Sequence, residues 1–235
     1  MKFAYLIEPP FNDRDDDGAV KGCDVELAQY VCDELGEAFA PIEAEFAELL
    51  PGLGSGRWRM TTGLFATEER QRIAAFSRPI WALPDGLLVQ NGNPKGLDGY
   101  RSVAAHADCL LAVIRDQIQH RSAVAFGVSD HRIVIFDTYT AAAIAVATGD
   151  VDAYASVARA HAGFMMGHPD LPCEIVPVPA EEKAPAFGAF GFAREDDQFR
   201  MNVDAVLATY LGSPAHRAMM ARYGFADDEI DLLFR

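Results

Sequence analysis

Two short stretches with no polar position constrain this chain most. Residues 110–114 (Leu-Leu-Ala-Val-Ile) and 133–136 (Ile-Val-Ile-Phe) are apolar throughout. A strand with one wet face alternates, so unbroken runs of this length predict strands covered on both faces, as in sheets flanked by helices. A helical pattern follows: residues 140–148 are alanine-rich and stop at Gly149, and 151–155 read as the next strand. The N-terminal part repeats the alternation. Residues 3–7 form an apolar run that ends at Glu8-Pro9-Pro10. Asp24 is the expected N-cap of a helix in which Leu27, Val31 and Leu35 keep helical spacing up to Gly36. Helices are also expected over 46–53, 67–75, 203–211 and 215–223, and strands over 87–90, 175–178 and 188–193. Strand and helix in alternation predict an α/β fold with mixed, mainly parallel sheets.

At 235 residues with half of them hydrophobic, the chain is long enough for one large domain or two lobes. Lys plus Arg number 20 against 35 Asp plus Glu, a formal charge of −15 that repels phosphate backbones and argues against a nucleic-acid partner. Apolar stretches stay below about 18 residues, and Met1-Lys2 lead straight into the first strand, so neither a membrane span nor a signal peptide is expected. Cys23, Cys32, Cys109 and Cys173 form no C-x-x-C pair and are expected as reduced, buried thiols.

Several motifs have bland readings. Asp13, Asp15, Asp17 and Gly18 match the opening of a calcium loop, but Pro9-Pro10 prevent the helix such a loop needs before it, and Asp24 stands where a bidentate Glu belongs. A solvated turn is expected. Gly52, Gly54 and Gly56 lack phosphate-loop spacing and read as a turn. The six histidines show no ligand spacing, so no metal and no cofactor is expected. The informative segment is Gly63-Leu64-Phe65-Ala66-Thr67-Glu68-Glu69-Arg70. Thr67 is a good N-cap and the two glutamates suit a helix start, whereas Arg70 opposes the dipole there. Either it pairs with a neighbouring carboxylate or it belongs to an anion site, where a guanidinium fork suits a carboxylate.

These residues are similar to a known family, the family 3 extracellular solute-binding proteins that serve amino-acid ABC importers. Pro9-Pro10-Phe11 resembles its Y-P-P-F. Gly18 and Gly22-Cys23-Asp24-Val25-Glu26-Leu27-Ala28 resemble G-x-x-x-G-F-D-V-D-L-A. Thr67-Glu68-Glu69-Arg70 with Phe76-Ser77-Arg78-Pro79 resembles T-P-E-R and F-S-x-P-Y, and Gly149-Asp150-Val151-Asp152-Ala153 resembles G-R-V-D-A. The resemblance implies two α/β lobes with a ligand cleft, residues 1–90 plus 188–235 forming one and 91–187 the other, joined by two crossings that let the lobes close as a hinge. It implies a carboxylate-gripping role for Arg70, a periplasmic location, ABC-transporter membrane subunits as partners, and a monomer without enzymatic activity.

The departures bear on the ligand. Phe65 stands where amino-acid binders carry Ser or Thr, Val157 where they carry an ammonium-binding Asp, and Asp116-Gln117-Ile118 where the second lobe's helix start reads G-S/T-T. The Gly63–Arg70 segment is most similar to G-M-F-I-T-P-E-R of ectoine and hydroxyectoine binders. That resemblance implies Glu8, Phe11, Phe46, Gly63, Phe65, Thr67, Arg70 and Gln117 as ligand-binding residues. Phenyl faces attract a delocalised or substituted cation. The expected ligand is therefore a small carboxylate-bearing zwitterion, an amino acid or a compatible solute. Rival readings are a cyclohexadienyl-dehydratase-like enzyme on the same scaffold and a cytoplasmic ligand-sensing module.

Overall fold

The computed structural model describes residues 1–234, which divide into two compact units, 1–82 with 186–234 and 83–185. The first sheet is built from β1 (Lys2–Tyr5), β4 (Ala40–Glu43), β5 (Met60–Phe65), β6 (Ala75–Phe76), β7 (Trp81–Leu83) and β13 (Ala186–Phe192), in the order β4-β1-β5-β13-β6 with β7 also on β13. A hairpin of β2 (Asp13–Arg14) and β3 (Val20–Lys21) stands apart from it. The helices of this unit are α1 (Cys23–Leu35), α2 (Leu49–Gly54), α3 (Glu68–Gln71), α8 (Asp197–Tyr210), α9 (Pro214–Arg222) and α10 (Asp227–Asp231). The second unit holds β8 (Asp85–Gln90), β9 (Leu111–Ile114), β10 (Ile133–Phe136), β11 (Ala153–Val157) and β12 (Cys173–Pro177), ordered β10-β9-β11-β8-β12. Its helices are α4 (Tyr100–Ala105), α5 (Ile118–Ala125), α6 (Tyr139–Thr148) and α7 (Ala158–Gly167).

Both sheets are mixed in the same way. In the first, β4, β1 and β5 run parallel and β13 is antiparallel to β5 and β6. In the second, β10, β9 and β11 run parallel and β8 is antiparallel to β11 and β12. The strand that enters each unit from the other, β13 or β8, is the one that reverses direction. This also moves the first division of the chain forward from the expected residue 90: β8 pairs along its whole length with β11 and β12, so it belongs to the second unit.

Burial follows position in the sheet. The expected two-faced burial holds for β9, whose four residues are all buried. It fails for β10, which lies at the sheet edge and leaves Ile135 41% exposed. The expected N-cap role of Asp24 is also corrected. Gly22 precedes the first turn of α1, and the helix's leading N–H groups go to loop carbonyls: Cys23 N to Pro10 O at 3.0 Å and Asp24 N to Phe11 O at 3.1 Å. With those donors satisfied, the Asp24 carboxylate points into the interior. Gly22 adopts φ +133°, and a Cβ there would stand 2.0 Å from the Phe11 carbonyl oxygen, so only glycine lets this loop lie against the helix start.

The acidic turn is the loop of the β2–β3 hairpin, where Asp15 Oδ1 accepts from the backbone N–H of Asp17 and Ala19 at 3.0 and 2.8 Å. Gly52 and Gly54, expected in a turn, lie inside α2. All four cysteines are buried free thiols. No helix among the described residues is long and apolar enough to cross a membrane.

In the second unit a buried ion pair ties the two ends of the segment. Asp85, 2% exposed, accepts from Lys183 Nζ, from the Tyr100 hydroxyl and from Gln119 Nε2 at 3.1 Å. Glu182 accepts from Tyr100 N at 2.6 Å, capping α4.

Candidate functional site

The residues singled out in the first unit converge on the carboxyl ends of β1 and β5. Strand β5 ends in Gly63-Leu64-Phe65, and the chain turns at Ala66-Thr67 into α3. Thr67 caps that turn through Oγ1, which accepts from Arg70 N at 3.3 Å. The helix is only four residues long, not the nine expected, so a helix dipole contributes little here. Arg70 is placed by other means. Its Nη1 donates to the Phe65 carbonyl at 3.0 Å, and its guanidinium carbon lies 5.2 Å from the centre of the half-buried Phe46 ring. The cation is thus held between a backbone acceptor and a π face, with its fork fixed in direction.

Phe65 and Phe11 meet on a residue outside the expected set, Trp81. The indole centre is 5.4 Å from each ring, tilted by 43° against Phe11 and edge-on at 85° to Phe65. It rests on glycines of two adjacent strands: a Cβ would come within 2.6 Å of the indole at Gly63 and within 1.9 Å at Gly188. Because Gly188 pairs with Phe65 and Phe190 with Gly63, the two glycines form a diagonal on one face of the β5–β13 ladder. The indole fills that depression. Its Nε1 donates to Asp24 Oδ1 at 3.0 Å.

Asp24 anchors the whole arrangement. Its Oδ2 accepts from Thr62 Oγ1 at 2.6 Å and from Gly63 N at 2.7 Å, and Thr62 Oγ1 accepts in turn from Asn12 Nδ2 at 2.7 Å. Burial pushes the Asp24 carboxyl above its ordinary range, and the donors from Thr62, Gly63 and Trp81 oppose that shift. Glu8 is half-buried at the end of this loop, where its backbone N–H donates to Asn12 O at 2.9 Å and its carbonyl accepts from Phe11 N at 3.0 Å. The structure therefore brings Phe46, Phe65 and Arg70 together, with Gly63 and Thr67 beside them, while Phe11 packs on Trp81 and against Phe225 as well, at 6.2 Å. Gln117 belongs to the second unit. It is buried at the start of α5, after Asp116 in the left-handed region at φ +63°.

Among the described residues no group of three His, Cys, Asp or Glu side chains is placed to hold a metal ion. His161 is a core residue of the second unit. Its Nδ1 meets the Tyr139 hydroxyl and its Nε2 faces the Gly86 carbonyl at 3.2 Å, and burial lowers its pKa to about 4.

The sequence profile of bacterial extracellular solute-binding proteins, family 3, matches residues 2–226. The chain belongs to that family. A relative, the probable amino-acid ABC transporter periplasmic-binding protein y4tE of Sinorhizobium fredii, is 28% identical over 237 residues, covering 98% of this chain and 78% of its own. Among solved structures, EhuB in complex with hydroxyectoine has a TM-score of 0.88 at 24% identity, covering 100% of this chain and 93% of that one. An ancestral arginine-binding protein bound to arginine has a TM-score of 0.83 at 18% identity, covering 94% and 96%. A histidine kinase sensor domain with similarity to periplasmic binding proteins reaches the same score at 18% identity, covering 94% of each. At these identities the solved structures establish the fold of this family 3 protein, that of two-lobe periplasmic binding proteins.

Trp81 was missed because a lone Trp in Ile80-Trp81-Ala82-Leu83 reads as strand core. The usable signal was the pair Gly63 and Gly188, each in a strand interior, where glycine marks the close approach of something large.

Proposed function

We propose that this family 3 protein binds a small carboxylate-bearing zwitterion and hands it on unchanged to the membrane subunits of an ABC importer, acting as a periplasmic monomer. The observation that carries the reading is the placement of Arg70, whose guanidinium is held by the Phe65 carbonyl and the Phe46 ring at the end of β5. A fixed guanidinium fork suits a carboxylate. The relative from Sinorhizobium fredii, described as an amino-acid periplasmic-binding protein, and the hydroxyectoine complex of EhuB support the class of ligand.

Glu8 supplies the opposite charge, and Phe65 and Phe46 supply aromatic surface in place of hydroxyls. A primary ammonium brings three donors, and each one left unpaired on burial costs about 1–3 kcal/mol. A cyclic amidinium or quaternary ammonium has few or none. Ectoine- or betaine-like zwitterions are thus favoured over glycine, glutamine or histidine.

Calorimetry with Arg70→Ala tests the reading. Loss of a charge-assisted pair costs about 2–5 kcal/mol, so ectoine and glutamine should both lose more than about thirtyfold in affinity. Equal affinity in the variant refutes the role of Arg70. Turnover of prephenate or arogenate by the native protein would refute the non-enzymatic reading.

A further inference from the structure

Trp81 lies outside the set of ligand-binding residues that the resemblance to ectoine binders implies, yet Phe11 and Phe65 of that set both lean on it. Phe11 and Phe65 both pack on it at 5.4 Å. Its ring is seated on Gly63 and Gly188, where any side chain would collide with it. Its N–H is tied to Asp24, a carboxylate 1% exposed and fixed by Thr62 and by the backbone of Gly63. The indole is thus held by a floor of two glycines, a carboxylate acceptor on its N–H and contacts with two rings.

We propose that Trp81 is the positioning residue that sets ligand discrimination in this protein, by fixing the directions of the Phe65 and Phe11 rings, and that Asp24 fixes Trp81. The inference rests on the zwitterion reading above and names what makes its aromatic half selective. Phe65 meets the indole edge-on, so the direction of the Phe65 ring is dictated by the Trp81 plane. A ring held in one orientation presents a constant π face to a trimethylammonium or amidinium group. A ring free to turn presents edge and face alternately and attracts the cation less. The carboxylate contact is assigned to Arg70, held by the Phe65 carbonyl and the Phe46 ring, whereas the indole packs on the Phe65 side chain. Loss at the cation and loss at the carboxylate are distinguished by which ligands are affected.

The experiment measures affinities of the native protein, Trp81→Phe, Asp24→Asn and Arg70→Ala for ectoine, glycine betaine and glutamine by calorimetry. Trp81→Phe should reduce the preference for the first two over glutamine by fivefold or more, and Asp24→Asn should act in the same direction by a smaller factor. Arg70→Ala should weaken all three alike. A ratio unchanged within twofold in Trp81→Phe, or an equal loss for all three ligands, gives the indole a structural role only and overturns the proposal. An unchanged ratio in Asp24→Asn beside a changed one in Trp81→Phe overturns the part assigned to Asp24. If the native protein binds none of the three, the zwitterion reading itself falls, and this inference with it.

A measurement on the unmutated sequence guards against variants that do not fold. Protein labelled with 5-fluorotryptophan carries two fluorine signals, since the chain has two tryptophans. Trp58 lies elsewhere, its Nε1 on the Leu49 carbonyl at 2.8 Å. Saturating ectoine should move the Trp81 signal and leave that of Trp58 in place. Ectoine that binds without moving the Trp81 signal refutes the proposal.

Discussion

Replacing Lys183 by Met should unfold the second unit more easily. In the native protein Lys183 Nζ is, among the described residues, the one full positive charge on Asp85, whose side chain is 1% exposed; the Lys183 side chain itself is 17% exposed. Met keeps the length of the side chain and removes the charge. The carboxylate then retains two neutral donors, the Tyr100 hydroxyl and Gln119 Nε2. Removing one partner of a buried pair costs about 3–5 kcal/mol, and the two remaining donors place this case near 3. That is a large share of a stability of about 5–15 kcal/mol.

The deficit should follow the buried carboxylate that has lost its partner. The double variant Asp85→Asn with Lys183→Met removes the stranded charge and should recover at least half of the loss. Urea titration followed by far-UV circular dichroism is the assay, because Trp58 and Trp81 both lie in the first unit and indole fluorescence is blind to the second. A Lys183→Met midpoint at pH 8 that corresponds to less than about 0.5 kcal/mol, or a double variant no better than the single one, refutes the argument.

Three further outcomes are expected. His161 is neutral in the fold with a pKa near 4 against about 6.5 when unfolded, so its contribution is present above pH 6.5 and lost as pH falls toward 4, by about 3 kcal/mol; His161→Leu should flatten the stability curve over that range, and an unchanged slope refutes it. Gly22→Ala places a Cβ 2.0 Å from the Phe11 carbonyl at φ +133° and should lower stability by about 2 kcal/mol or more in urea titration; an unchanged midpoint refutes the close-approach reading. The four buried thiols should resist an aromatic disulfide reagent in the native protein and react together on unfolding; a thiol modified at the rate of free cysteine refutes their burial.

Much of the fold was legible where local chemistry and tertiary structure agree. Gly36 and Gly149 do end their helices in the left-handed conformation, as their position after an apolar-periodic run implies. The misses share a cause: a local signal outweighed by the neighbours. Met60–Phe65 is the strand next to β13, but Thr61, Thr62 and Gly63 disguise it. The two threonine hydroxyls there are spent on Asp24 and on Thr62 O, and the glycine makes room for the indole. Helix α7 follows β11 with no intervening residue, so no turn residue announces it. Of the candidate site, the shared position of Gly63, Thr67 and Arg70 at the end of one strand was legible through motif order. The expected aromatic residues were legible as types, while the packing of Phe11 and Phe65 involves Trp81 and, through it, Asp24, which meet across 57 positions of sequence. Such a contact has no local signature.

The position of β13 between β5 and β6 has a consequence for how the chain assembles. The second unit is one continuous segment, and all five of its strands are available once residue 177 has been made. The first unit is not. Its leading 82 residues supply β4, β1 and β5 on one side and β6 on the other, with nothing to join them until residues 186–192 arrive. Until then β5 is an open edge carrying Gly63, Leu64 and Phe65. Long-range closure of this kind is slow, because the intervening loop must be ordered before its contacts reward it. The order of maturation should therefore be inverted relative to the order of synthesis: the middle of the chain forms first, and the unit that carries Arg70 forms last. A nascent chain stopped short of residue 186 would leave that open edge to pair with another molecule, which makes truncation near the C-terminus an aggregation hazard even though the missing residues lie far along the sequence from Arg70.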